Sequence, residues 1–241
     1  MKSLVVITFV FAFHTLVLAQ KDKSYSAVAH LAGSEAVSLT KKFDFLKSIS
    51  INLIVGNTID PSNLNYTLRF SEKESYMAMS ISGLGDDEVE SVPEIVLDFD
   101  EDSRITFMCF GDIKMARACL LDDEQKDISI FTLNPVIHKE TGKSKNILGY
   151  KSMEYIISDG DYKGSIWITP TVEESLKRPF IDLGLKHEGA GSISPSGYIM
   201  RVDVDNAVTK DVVRLSVSDI NINDIYSIDA RTYVSTAFPS H

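Results

Sequence analysis

The chain has 241 residues, 44% of them hydrophobic, and carries 34 acidic against 24 basic residues, a formal net charge of −10 at pH 7. That balance repels phosphate backbones, and no Lys/Arg stripe interleaved with aromatics appears, which argues against nucleic acid as a partner. Anionic membrane surfaces are disfavoured for the same reason, whereas an uncharged lipid held by the protein feels no such penalty.

The first residues read as an export signal. Lys2 supplies a short basic region, residues 4–13 an apolar core, and Val17-Leu18-Ala19 a small-residue cleavage pattern before Gln20. The apolar run is shorter than the ~20 residues a spanning helix needs. Residues 1–19 are therefore assigned to a signal peptide, and the mature product is expected in the periplasm or outside the cell after cleavage near Ala19/Gln20. No cysteine stands at the cleavage point, so the product is expected to be soluble rather than lipid-anchored.

In the N-terminal segment, residues 20–48, Val28, Leu31, Leu39, Phe43 and Leu46 fall loosely at helical spacing, interrupted by Gly33 and serines. From Ile49 the period switches to two, and residues 49–238 read as one β domain. Residues 65–70 put Tyr66, Leu68 and Phe70 on one face, and residues 76–81 set Met77, Met79 and Ile81 opposite Tyr76, Ala78 and Ser80. The alternation recurs at 94–99, 104–110, 127–133, 151–158 and 163–168, with Gly, Pro, Asp and Asn between the runs. This is a meander of short antiparallel strands rather than strand-helix alternation.

Thr171 and Glu174 have capping-box spacing and predict one short helix, started by Thr171 and stopped by Pro179. Residues 188–197, rich in Gly and Ser, read as a mobile loop. Three more alternating runs follow at 197–204, 211–217 and 230–235. About eleven strands with one or two helices predict a mainly β fold. It is a curved antiparallel sheet or an incomplete half β-barrel with the helices as covers.

Asp98, Asp100 and Asp102 open like a calcium loop, but Ser103 stands where the turn glycine belongs and Cys109 where the bidentate glutamate belongs. The stretch reads as a hairpin turn, and no metal is assigned. Gly189, Gly191 and Gly197 lack phosphate-cradle spacing, Ser192, Ser194 and Ser196 form no nucleophile elbow, and the histidines are scattered. No catalytic residue and no cofactor are assigned, and the chain reads as a non-enzyme. Asn65-Tyr66-Thr67 matches a glycosylation sequon inside a predicted strand. Cys109 and Cys119 either bridge across a hairpin turning at Gly111-Asp112, if their Cα atoms come within about 7 Å, or stay buried thiols. Met108 and the ligand-cavity candidates Met77, Met79, Phe107, Met153, Tyr155, Trp167 and Met200 lie on predicted strands. Such soft and aromatic side chains suit either an adaptable acyl cavity or ordinary core packing.

Residues 146–157, Asn-Ile-Leu-Gly-Tyr-Lys-Ser-Met-Glu-Tyr-Ile-Ile, are followed by Ser165-Ile166-Trp167-Ile168-Thr169. This pattern resembles a family of secreted bacterial domains of unknown function, marked by an Ile-Leu-Gly-Tyr turn, a strand with a Tyr, and a hairpin partner carrying a Trp. That family is similar to the periplasmic lipoprotein carriers and their outer-membrane receptors, the LolA/LolB-like superfamily. The resemblance implies an incomplete antiparallel barrel whose helices close an apolar cavity, with Gly149 and Tyr150 as turn and packing residues and Trp167 facing core or cavity. Ser152 stands where the family often has a cysteine, and the lid arginine of true carriers has no counterpart here. The function implied is non-catalytic binding of an apolar ligand, a lipid or acylated peptide. The alternative is an envelope interaction or scaffold module with a fully packed core.

Overall fold

The computed structural model describes residue 39 and residues 41–73, 75–82, 93–120, 136–189 and 191–237. The expected signal segment, residues 1–19, residues 20–38 and 40, and the strand expected at 127–133 lie outside the described residues. The described residues hold fifteen strands: β1 (Lys42–Phe45), β2 (Lys47–Asn57), β3 (Asp60–Phe70), β4 (Tyr76–Ser82), β5 (Glu94–Asp98), β6 (Ser103–Phe110), β7 (Ile113–Leu120), β8 (Val136–Ile147), β9 (Tyr150–Asp159), β10 (Tyr162–Thr169), β11 (Lys186–His187), β12 (Gly197–Asn206), β13 (Asp211–Asn221), β14 (Tyr226–Asp229) and β15 (Val234–Ala237). Helix α1 spans Glu174–Asp182, and a single 3-10 turn, Ala230–Thr232, separates β14 from β15.

The strands follow the hydrogen-bonded order β15-β7-β6-β5-β4-β3-β2-β13-β12-β10-β9-β8, an open sheet that does not close into a barrel, with β11 attached to β12. Each pairing with a described register is antiparallel except β15 with β7. The chain divides into two compact units. One holds the residues up to Ser48, Leu68–Asp123 and those from Ile222 on; the other holds Ile49–Thr67 and Glu124–Asn221.

In the first unit, residue alternation sorts each strand into two faces. Directly paired residues share a face, so Ala78, Val96 and Ile105 stand in one row and Phe107 and Ala116 in the next. This face is packed by the ribbon of β1 and β14, whose Phe43, Phe45 and Ile228 complete the core cluster. Phe43 meets Tyr76 and Phe107 edge-on at 5.2 and 6.3 Å, and Phe107 meets Tyr233 at 4.8 Å. Small Ala78 and Ala116 make room for the ribbon's phenylalanines.

The end of the N-terminal segment therefore departs from its loose helical spacing. Phe43 and Phe45 sit two apart on a strand and are both fully buried. The last expected strand, 230–235, is also divided, because Asp229 caps the 3-10 turn by accepting the Arg231 N–H and breaks the run.

In the second unit, β9, β10, β12 and β13 carry an apolar face with Tyr155, Ile157, Ile166, Val202, Val204, Val213, Leu215 and Val217 buried. Helix α1 neither starts at Thr171 nor stops at Pro179. Thr171 donates its hydroxyl to the Val172 carbonyl, Glu173 is the N-cap without a side-chain hydrogen bond, and Pro179 lies inside the helix. Pro179 and Phe180 are buried, with Phe180 edge-on to Tyr198 at 5.7 Å, and this packing offsets the N–H that proline removes. The Leu183 and Leu185 N–H groups close the end by donating to the Pro179 and Phe180 carbonyls.

Candidate functional site

The seven cavity candidates divide between the units and between faces. Met77 and Met79 lie on the first unit's second face, paired with Leu97 and Ile95, whereas Phe107 points to the ribbon-covered face. In the second unit, Met153 and Tyr155 pair with Ile168 and Ile166 on the apolar face. Trp167 pairs instead with Glu154 and Arg201, and so stands on the opposite face. Met200 falls where the β10–β12 register shifts, between the partners of Trp167 and Ile168, and is fully buried. Phe107 and Trp167 thus do not share the face of Met79 or Tyr155 in their own units.

The Trp167 face is charged. Lys145 Nζ lies 4.2 Å from the centre of the Trp167 ring, and burial together with Arg201 holds its ammonium below the ordinary lysine value. Glu154 accepts from Thr141 Oγ1 at 2.8 Å and pairs with Lys143 at 3.1 Å. Burial acts to raise its carboxyl, but these partners outweigh it and leave the group below its ordinary value. Arg201 donates to Asp203 at 3.1 Å, and Arg214 pairs with Asp203 at 3.5 Å and with Asp205. The charges on this face largely compensate one another.

The first unit holds a half-buried polar cluster where β14 meets the sheet. The Tyr226 hydroxyl donates to Glu94, Arg69 pairs with Glu94 at 3.1 Å and Asp224 at 3.3 Å, and its guanidinium lies 4.1 Å over the Tyr226 ring. Burial wins at Glu94 and pushes its carboxyl up despite Tyr226 and Arg69. At Tyr226, burial and the bond to Glu94 both raise the phenol. These contacts tie β14 to β3 and β5.

Neither cluster pairs a nucleophile with a base. One such pair is His138 Nε2 with Ser158 Oγ at 2.6 Å, across exposed positions of β8 and β9. Among the described residues no carboxylate is bonded to that imidazole to orient it. Among the described residues no group of three or more His, Cys, Asp and Glu side chains could hold a metal, and no helix is long and apolar enough to cross a membrane. Asp98 instead builds a turn, its Oδ1 accepting the Asp100 and Glu101 N–H groups while Lys41 pairs with its Oδ2.

The β6–β7 register separates the two cysteines. Cys109 pairs with Lys114 and Cys119 with Arg104, five positions apart along the ladder. At ~3.3 Å per residue that is about 16 Å, beyond disulfide reach, and Cys109 is in no disulfide. Of the two alternatives left open for the cysteines, this register favours separate thiols. The hairpin does turn at Gly111-Asp112, and its tight loop sets Phe110 opposite Ile113.

That register also assembles a feature not singled out by composition. On the second face of the first unit, Met79 and Ile95 share a row with Thr106 and Arg117; in the next row Met108 pairs with Met115 and Met115 with Val234, and in the row after it Phe110 pairs with Ile113. Phe110, Ile113 and Val234 are 53%, 60% and 64% exposed, and Met79, Met108 and Met115 are half-buried. The parity of Met108 and Phe110 and the Gly-Asp turn were visible in sequence; the β15 partner was not.

No protein-family profile matches the chain, and no curated protein matches it. Among solved structures the chain is similar to PNGF-II, at 10% identity and TM-score 0.33 over 80% of this chain and 31% of that one, so it spans about a third of that protein's length. It is also similar to a LolA superfamily protein from Nitrosomonas europaea, at 11% identity and TM-score 0.32 over 76% of this chain and 88% of that one. A DUF1329 family protein from Desulfovibrio piger is similar at 8% identity and TM-score 0.22, over 83% of this chain and 90% of that one. At these identities and TM-scores the likenesses carry no weight for function.

Proposed function

We propose that the protein is an exported, non-catalytic binding module that holds an acyl chain on the methionine-lined second face of its first unit. The carrying observation is the set Met108, Phe110, Ile113, Met115 and Val234, exposed or half-buried in adjacent rows of β6, β7 and β15 on the face that also carries Met79 two strands away. A soluble protein leaves few such patches uncovered, and unbranched thioethers re-pack around a flexible chain without a rigid pocket. The net charge of −10 favours an uncharged or already neutralised head group.

Native mass spectrometry of protein exported to a bacterial periplasm, with extraction of the same sample, tests this. A mass that dissociates as a lipid, or as an acylated peptide, supports the reading and distinguishes the two acyl sources. Loss of that mass in Phe110→Ser/Ile113→Ser, with folding retained, locates it on this face. An empty protein whose thermal midpoint does not respond to either ligand overturns the reading.

A second reading is favoured by the edge strand β15 beside the patch. An envelope protein would dock there by pairing with that edge, and a stoichiometric partner lost in the same double variant is the outcome that selects it.

A further inference from the structure

After α1 the chain runs as a strap. The Ile199 N–H donates to the Leu185 carbonyl at 2.6 Å, and Lys186 and His187 pair with Tyr198 and Gly197. Gly191 then bridges in parallel to Ile137, where the Ser192 N–H donates to the Ile137 carbonyl at 2.9 Å. The Ser192 hydroxyl adds bonds to the Ile137 and His138 carbonyls. A Cβ at Gly191 would lie 2.1 Å from the Ile137 oxygen, so only glycine permits this approach. The Gly/Ser-rich stretch expected to be mobile is thus bonded along the start of β8.

One imidazole lies at the root of the strap. His187 is 7% exposed, and its Nε2 is buried without a hydrogen-bond partner among the described residues. A neutral ring tolerates this as an unused acceptor. A protonated ring would place a second N–H, and a charge, where no acceptor stands.

We propose that His187 is an acid-sensitive pin: its protonation releases the strap from β12 and β8 and uncovers the backbone of β8 at Ile137 and His138. Burial holds this imidazole below 6.5, against the neighbouring Glu188 carboxylate, which favours the charged form and is itself paired with Lys186. The other titratable groups on surrounding elements are Glu174, Lys177, Arg178 and Asp182 of α1, Tyr198, Arg201, Asp203 and Asp205 of β12, and His138, Lys139 and Glu140 of β8. Because the folded value is lowered, the strap's stability is fully present above 6.5 and is lost as pH falls through and below it.

Hydrogen exchange of the Ser192 and Ile199 amides, corrected for intrinsic rates, tests this on the full chain between about pH 7.5 and about pH 5. Protection at both is expected to fall by up to about tenfold per pH unit below 6.5, with the amides of β6 changing less. His187→Leu is expected to flatten that dependence. If this variant does not fold, the imidazole titration in the unmodified protein decides, with a midpoint below 6.5 expected. A midpoint above 6.5, unchanged protection at Ser192, or the same pH dependence in a folded His187→Leu overturns the proposal.

Discussion

Leu148 and Gly149 show how a single dihedral carries both information and strain. They join β8 to β9 with φ of +51° and +87°, and Ile147 pairs directly with Tyr150, which makes a two-residue turn with both φ positive. Glycine adopts this region freely, but leucine does not, and Leu148 is 42% exposed with little packing to offset the strain. Leu148→Asn is expected to stabilise the protein by about 0.5–1 kcal/mol, since Asn-Gly is the pair this turn prefers. A thermal midpoint that stays put or falls would refute it. Gly149 could be read from the chain as a turn residue. That Trp167 and Tyr155 face opposite ways could not, because the parity of a residue across a hairpin depends on register, which the turn sets.

At the scale of elements, period-two alternation recovered the strands with one buried face. Tyr66, Leu68 and Phe70 in β3, and Val213, Leu215 and Val217 in β13, are all buried as the pattern predicts. β8 escaped because most of its twelve residues are exposed or half-buried and its register shifts twice, leaving no alternation to detect. β1 escaped for another reason. Four residues are too few for a period, and its pairing partner β14 lies far along the chain. The ribbon it forms is nevertheless the packing element of the first unit. Phe45→Ala is expected to cost about 3–5 kcal/mol, because a fully buried ring held between Tyr76 and Tyr226 leaves a cavity that two paired strands cannot close. A denaturation midpoint within ordinary surface-mutation range would contradict that role.

Over the whole molecule, the mainly β open sheet was legible from composition and alternation, while its division into two units was not, since no linker composition marks residues 48, 68, 124 or 222. The register that parts Cys109 from Cys119 also predicts the global response to reductant. The thermal midpoint is expected to be the same with and without it, and the intact mass to show no loss of two hydrogens. A midpoint that drops on reduction would mean that the register differs in solution. The pairing of Lys42–Phe45 with Tyr226–Asp229 has a consequence for biogenesis. A chain made amino end first delivers Phe43 and Phe45 early and the strand that pairs with theirs late, with the whole second unit made between. The first unit cannot complete its core until that strand has been made, so during synthesis Phe45 waits for the Tyr226 ring that closes its remaining side.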